Sequence, residues 1–219
     1  MQSYKCIVVF LSGIVIGGFL NAYMIRSQIL REHSNGYESR QSLQYPLIEI
    51  LNGIFYVIII HRVGINPNGI LLCLLCSILL VLSFIDFKTY YIPVEINICV
   101  LFIGLLYTFF DYKKVGDHLL GMSLVSGFLF VIYLVTKKKG IGDGDIKLMV
   151  GAGAFLGFWP SVLALWIACL LGAVIHSIRM KITKVGHQLA FGPYLAVGIL
   201  FSSLYGEELM LRYMEYLLR

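Results

Sequence analysis

Long apolar stretches, separated by short polar ones, follow one another along the whole chain. A helix needs about 20 apolar residues to cross a bilayer. A membrane β-barrel instead alternates apolar and polar residues in strands of about ten, whereas these stretches are continuously apolar. The pattern therefore predicts an all-α, polytopic bundle of about eight transmembrane helices, over residues 6–25, 47–61, 69–85, 94–110, 118–136, 146–158, 161–178 and 190–206.

Three details refine this organisation. The stretches 47–61 and 146–158 are short for a membrane span. The C-terminal sequence EELMLRYMEYLLR repeats apolar residues at helical spacing, which predicts a helix lying on the membrane surface. We expect an N-terminal two-helix region, residues 1–63, followed by a six-helix region, residues 64–219.

Composition supports the membrane interpretation. The chain is 59% hydrophobic and 13% charged, with a mean hydropathy of +0.86. A soluble domain is about 45–50% apolar and about 25% charged. The net charge is +5, and in a membrane protein a basic surplus usually marks cytoplasmic loops. The expected partner of these charges is therefore a lipid bilayer and not a nucleic acid.

The distribution of basic residues predicts the orientation. Loops with an excess of Lys and Arg face the cytoplasm. Of the 17 Lys and Arg residues, eleven lie in or beside the loops of one face and six in those of the other. This places segments 26–46, 86–93, 137–145 and 179–189 in the cytoplasm and both termini outside.

Three of the five aspartates lie at that cytoplasmic face. Asp86 ends the third helix in SFIDFKTYYIP, and Asp143 and Asp145 open the sixth in GIGDGDIKLM. An ionisable group at the edge of the hydrocarbon is costly, so function is the default hypothesis for it. Gly142 and Gly144 interrupt the helical pattern and permit positive φ. The pattern predicts that the third and sixth helices bring two carboxylates together beneath the cytoplasmic surface.

Two carboxyl groups within hydrogen-bonding reach share one proton across a split pair of pKa values. This is the chemistry of aspartic peptide hydrolysis. Helix dipoles favour the anion at Asp145, near a helix N-terminus, and the protonated form at Asp86, near a C-terminus. A simpler alternative is an ion pair of Asp86 with Lys88 or Lys147 that only sets the topology. Spacing alone leaves both interpretations open.

Five short motifs are distributed over most of the chain. They are GGFLN (17–21), YPLIE (45–49), DFKTYYIP (86–93), GDGDIKL (142–148) and FGPY (191–194). In this order they resemble the motifs of the type IV prepilin peptidases, which are membrane aspartic peptidases of the GxGD class. Agreement at five places is much more specific than a single GxGD.

The resemblance implies a catalytic pair and residues that bind substrate or shape the loops around it: Asp86 and Asp145 for the pair, and Gly142, Gly144, Lys147 and Pro93 around them. Asp143 occupies the variable position of the GxGD motif. By the same resemblance, residues 64–219 form the catalytic domain. It removes the short basic leader of prepilins or pseudopilins after a glycine, at the cytoplasmic face of the bacterial inner membrane, without a cofactor.

The first cytoplasmic loop departs from the family pattern. Many bacterial members carry a cysteine-rich, metal-binding insert there, whereas RSQILREHSNGYESRQSLQ contains no cysteine. We therefore predict no metal site and expect His33 and Glu38 to be solvated. The resemblance also implies a second activity of the family, N-methylation of the mature pilin. It supports this activity less strongly than it supports leader removal.

Other functions remain open at this point. The chain could be another GxGD peptidase, of the preflagellin or signal-peptide type. From a different class, the acids could be protonation sites of an ion-coupled transporter. That alternative predicts acids deep within helices and repeated halves, and the sequence has no internal repeat. A third alternative is a non-catalytic assembly protein of a secretion system.

Overall fold

The computed structural model describes residues 2–32, 44–138, 140–183 and 189–217. Within these ranges the chain forms eight helices and no strand, which confirms the predicted all-α bundle. The helices are α1 (Gln2–Glu32), α2 (Gln44–Val63), α3 (Pro67–Thr89), α4 (Val94–Phe110), α5 (Tyr112–Val135), α6 (Asp143–Leu156), α7 (Phe158–Thr183) and α8 (Gly192–Leu217).

Six of the described helices are long and apolar enough to cross a membrane, namely all except α4 and α6. Large apolar side chains also point outwards, among them Phe19, Phe109 and Ile182, each at least 75% exposed. Lipid is the environment that accommodates such a surface. The chain is therefore a multi-pass membrane protein.

Several helix lengths differ from the predictions. The second helix was expected to be short but has 20 residues, whereas α6, which was also expected to be short, has 14. The C-terminal tail does not form a separate helix, because α8 continues through it to Leu217. Helix α5 contains a π-helical turn at Gly121–Val125, which apolar periodicity does not reveal.

The chain divides into two compact units, residues 1–81 and 82–219. In the first, the close approach of α1 and α2 depends on glycine: a Cβ on Gly13 would lie 2.8 Å from the Cα of Gly53. Asn52 Nδ2 donates a hydrogen bond to the Gly13 carbonyl, and Ser77 Oγ of α3 donates one to Asn52 Oδ1. Buried polar groups thus cross-link the three helices where small residues permit contact.

Helix α6 is the centre of the second unit and contacts α4, α5, α7 and α8. Almost all of its side chains are buried. Its glycines allow neighbouring backbones to touch: a Cβ on Gly151 would lie 2.7 Å from the Leu101 nitrogen of α4, and one on Gly153 would lie 2.5 Å from the Gly121 oxygen of α5. A short helix is thus enclosed by longer ones, and its first turn is held in a fixed place.

Two sequence predictions are not addressed by this description. His33 and Glu38 lie outside the described residues. The predicted boundary at residue 63, between a two-helix and a six-helix region, stays a prediction.

Candidate active site

Asp86 lies in the last turn of α3, just before the turn that connects α3 to α4. Tyr90 adopts a φ of 52° just after the helix, and Pro93 is the N-cap of α4. The Asp86 side chain is 5% exposed, and its Oδ2 accepts a hydrogen bond of 2.8 Å from the backbone N–H of Gly192. Gly192 is the first residue of α8, so a helix N-terminus stabilises the charged form of this carboxylate.

Asp145 lies in the first turn of α6 and is 7% exposed. The glycines before it permit positive φ, but Gly142 does not adopt it and is extended, at φ −72° and ψ 142°. The lack of space for a side chain explains these glycines better. A Cβ on Gly142 would lie 2.9 Å from Asp145 Oδ2, and one on Gly144 would lie 2.9 Å from the Cβ of Ile92. The glycines let the loop close over the acid and against the segment before α4.

The two acids line one cleft of about 150 Å³. Three segments form it: the end of α3 with the turn that follows, the first turn of α4, and the start of α6. The lining residues are Asp86, Tyr90, Tyr91, Ile92, Val94, Asn97, Gly142, Asp143, Gly144, Asp145 and Lys147. The structure therefore brings Asp86 and Asp145 into one cleft, as the sequence predicted. Gly142, Gly144 and Lys147 line the same cleft. Pro93 does not line it but lies between two residues that do, Ile92 and Val94.

The environment of Asp145 raises the pKa of its carboxyl to about 7. The main cause is burial, followed by the negative charge of Asp86, while the backbone of Gly142 acts in the opposite direction. The position of Asp145 in the first turn of α6 also favours the anion, but burial outweighs it. Asp145 is thus about half protonated at pH 7 and mostly protonated below it.

One contact opposes the protonation pattern expected from the dipoles of α3 and α6 alone. That expectation considered only α3 and α6. It missed the N-terminus of α8, which approaches Asp86 from elsewhere in the chain and donates the Gly192 N–H to it. The N–H of Gly192 favours the anion of Asp86, while burial disfavours a charge on either carboxyl.

Lys147 does not neutralise the pair. Its Nζ forms an ion pair with Asp143, one turn earlier on the exposed side of α6. The side chain of Asp143 is 60% exposed, which fits a residue at the variable position of the motif. Among the described residues, neither Lys88 nor Lys147 forms an ion pair with Asp86, so the alternative of an ion pair that only sets the topology is not supported.

Asn97 is a polar residue of this cleft that the sequence interpretation missed. It is 5% exposed, and its Nδ2 donates a hydrogen bond of 3.3 Å to the Gly144 carbonyl, so it connects α4 to the first turn of α6, which carries Asp145. Among the described residues its Oδ1 has no partner. A single Asn in the otherwise apolar run INICVLFIG was the available signal.

Among the described residues no group of three His, Cys, Asp or Glu side chains is placed to hold a metal ion. Two buried carboxyls that share one proton are able to activate water and to protonate a leaving amine.

Comparison with known proteins identifies relatives of this chain. Residues 73–177 match the model of the type IV leader peptidase family. A prepilin leader peptidase/N-methyltransferase of Pseudomonas putida is 30% identical over 195 residues, which cover 86% of this chain and 68% of the relative. One from Neisseria gonorrhoeae is 30% identical over 199 residues, with the same coverage. One from Pectobacterium carotovorum subsp. carotovorum is 32% identical over 182 residues, covering 79% and 64%. No solved structure matches the chain.

Proposed function

The chain belongs to the type IV leader peptidase family, and from this premise we propose that it is an aspartic endopeptidase that removes the leader of type IV prepilins or pseudopilins. The observation that carries the proposal is the cleft in which Asp86 and Asp145 meet. Similarity to relatives named as prepilin leader peptidases supports this substrate class over the preflagellin, signal-peptide and transporter alternatives.

The proposed mechanism assigns one role to each acid. A water molecule between the two carboxyls attacks the scissile carbonyl, and the Asp86 anion accepts its proton as general base. Asp145 donates a hydrogen bond to the carbonyl oxygen, and the pair then delivers a proton to the departing amine. The pair ends the cycle with one proton, as it began, so no cofactor is required.

The location of the cleft suits a substrate that is part helix and part leader. The acids lie at the ends of their helices, so a scissile bond at the membrane surface could reach them while the apolar helix of the substrate stays in the bilayer. The distribution of Lys and Arg supports a cytoplasmic position for this end, and we propose the bacterial inner membrane as the location because the relatives named as prepilin leader peptidases are bacterial. The proposal covers leader removal and does not extend to N-methylation.

Leader removal by the purified protein tests the proposal. The protein in lipid nanodiscs would be incubated with a panel of type IV prepilins and pseudopilins, and mass spectrometry would detect the loss of the leader. A matched substrate in which the glycine before the cleavage point is replaced by a bulky residue should remain intact. The Pseudomonas putida relative serves as positive control. If the relative cleaves the panel and this protein cleaves none of it, the proposal is wrong.

A further inference from the structure

A second polar cleft lies at the other end of the same helices. It occupies about 380 Å³ and is lined by the end of α4, the start of α5, the end of α6 and parts of α7 and α8. Helix α4 runs from one cleft to the other, and its 17 residues span about 25 Å. This second cleft is therefore remote from Asp86 and Asp145, and the proposed peptidase mechanism does not use it.

Two buried polar side chains face this cleft without hydrogen-bond partners. His118 is 3% exposed, and neither of its ring nitrogens has a partner among the described residues. Ser202 is 2% exposed, and its Oγ is likewise unpartnered within that part of the chain. Buried polar groups are nearly always satisfied, by protein, water or a ligand. Two in one cleft point to a group that binds there.

The charges of the cleft indicate what that group is. Four carboxylates line it, against one lysine: Asp111, Asp117, Glu207 and Glu208, against Lys114. Lys114 is already paired with Glu207, and Glu208 with Arg212 of the same helix. Asp117 Oδ2 accepts a hydrogen bond from the Phe158 N–H. The carboxylate of Asp111 remains, with its Oδ2 3.7 Å from His118 Nε2, which is too far for a hydrogen bond.

The three available groups are richer in acceptors than in donors. The carboxylate of Asp111 only accepts, a neutral imidazole offers one acceptor, and a hydroxyl offers two lone pairs. A primary ammonium group carries one positive charge and three N–H donors, as on lysine. It complements the carboxylate, the imidazole and the hydroxyl, and it also offsets the negative surplus. An anion would meet the carboxylates, and a quaternary ammonium has no N–H to donate.

We propose that this cleft binds a primary ammonium group, with Asp111, His118 and Ser202 as its acceptors. Two sources share this chemistry: the headgroup of phosphatidylethanolamine in the adjoining leaflet, and a free small amine. The inference goes beyond the proposed peptidase function and does not depend on it.

Thermal unfolding in nanodiscs of defined lipid tests the proposal. In nanodiscs of phosphatidylcholine alone, added ethanolamine should raise the unfolding temperature, whereas choline, which has the same charge but no N–H, should not. Nanodiscs that contain phosphatidylethanolamine should give a higher unfolding temperature than phosphatidylcholine alone. If ethanolamine raises the unfolding temperature, a free amine is sufficient to bind. If only phosphatidylethanolamine raises it, the lipid headgroup is the ligand. Either result supports the proposed ammonium site.

Variants distinguish this site from a general effect of amines or lipids. Asp111→Asn should weaken ethanolamine or phosphatidylethanolamine binding by at least about tenfold, because it removes the charge of the acceptor. Ser202→Ala should weaken binding without altering charge. Asp143→Asn, which removes an exposed carboxylate at the opposite cleft, is the matched control and should bind like the wild type. Equal effects of choline and ethanolamine, no effect of either amine or lipid, or unchanged binding by both Asp111→Asn and Ser202→Ala would overturn the proposal.

Discussion

The carboxyl groups of Asp86 and Asp145 line one cleft but have different surroundings. Asp86 accepts a hydrogen bond from the first N–H of α8. Asp145 is buried beside the charge of Asp86, which raises the pKa of its carboxyl. Since like charges in one buried site disfavour double ionisation, the pair holds one proton near neutral pH. The apparent pKa values belong to the pair as a unit.

The first prediction concerns the pH dependence of leader removal. The pKa of Asp145 is raised to about 7, so this carboxyl is protonated below that pH and loses its proton above it. Because the proposed mechanism needs the protonated acid, we expect kcat/KM to fall as pH rises through about 7. The measurement is kcat/KM between pH 5 and 9, which reports the ionisation of the free enzyme.

The variant Asp143→Asn provides the control for this profile. Its carboxylate is exposed and paired with Lys147, so its removal should leave the alkaline limb in place. A value of kcat/KM that stays level from pH 6 to 9 would contradict the assignment of Asp145 as the acid.

The second prediction concerns Gly192. A Cβ there would lie 2.8 Å from Asp86 Oδ2 and 3.1 Å from Asp86 Cβ, so Gly192→Ala must displace the carboxylate. Misplacement of a reacting group by about 1 Å can reduce a rate by about a hundredfold, and we expect a loss of kcat of that order with a folded protein. Gly116→Ala is the matched control, because a Cβ at Gly116 meets nothing within 4 Å. Full activity in Gly192→Ala would show that this contact does not position Asp86.

The sequence was sufficient to find the acids but not their surroundings. Asp86 and Asp145 stand out because each is a carboxylate at the border of a long apolar stretch, within a recognisable motif. Asn97 does not stand out, because the sequence does not tell which face of α4 meets α6. The partner of Asp86 was missed for a similar reason: Gly192 is 106 residues away, and its contribution is a backbone N–H, which every residue but proline has.

At the scale of helices, glycine and other small residues determine how closely α4 and α6 approach. A Cβ on Gly104 would lie 2.4 Å from the Gly151 carbonyl oxygen, which is backbone and cannot rotate away. Thr108 Oγ1 donates a hydrogen bond of 2.7 Å to the Ala154 carbonyl further along the same interface. Close contact of these two helices is what brings Asn97 within reach of the Gly144 carbonyl.

The third prediction follows from this interface. Gly104→Ala should force α4 and α6 apart and destabilise the protein by about 1–3 kcal/mol, the usual effect of overpacking. Leader removal should fall as well, because Asn97 moves with α4 and would lose its hydrogen bond to the first turn of α6, which carries Asp145. Thermal unfolding and kcat measure the two effects.

Gly127→Ala is the matched helix-interior control for Gly104→Ala, because a Cβ at Gly127 has open space around it. If both variants unfold at the wild-type temperature, the close approach of α4 and α6 is not a source of stability.

Helix positions were more predictable than helix ends. The predicted fourth helix, 94–110, agrees with α4, since Pro93 marks its start and Asp111 its end. The last helix was predicted to end at 206, yet α8 continues to Leu217. Hydropathy falls where a helix leaves the apolar phase, but backbone hydrogen bonding does not have to stop there. Ends without proline or glycine are therefore poorly marked in the sequence.

At the scale of the whole chain, a short buried helix lies among longer ones whose outer surfaces are apolar. Helix α6 has its first turn in the cleft of the two acids, and its last residues line the cleft of His118 and Ser202. The two polar sites thus lie at opposite ends of the same helices. The catalytic proposal concerns one end only, and the ammonium proposal can fail without affecting it.

The fourth prediction addresses the central claim, that Asp86 and Asp145 act as one catalytic unit. The measurement is the rate of leader removal by the wild type, Asp86→Asn, Asp145→Asn, the double variant and Asp143→Asn, under identical conditions. We expect each single Asn variant at the pair to lose about 10²–10⁴-fold in rate. The double variant should be no slower than the slower single one, because residues that act as a unit are not additive, and Asp143→Asn should stay close to the wild type. An active Asp86→Asn or Asp145→Asn, or losses that multiply in the double variant, would contradict the claim.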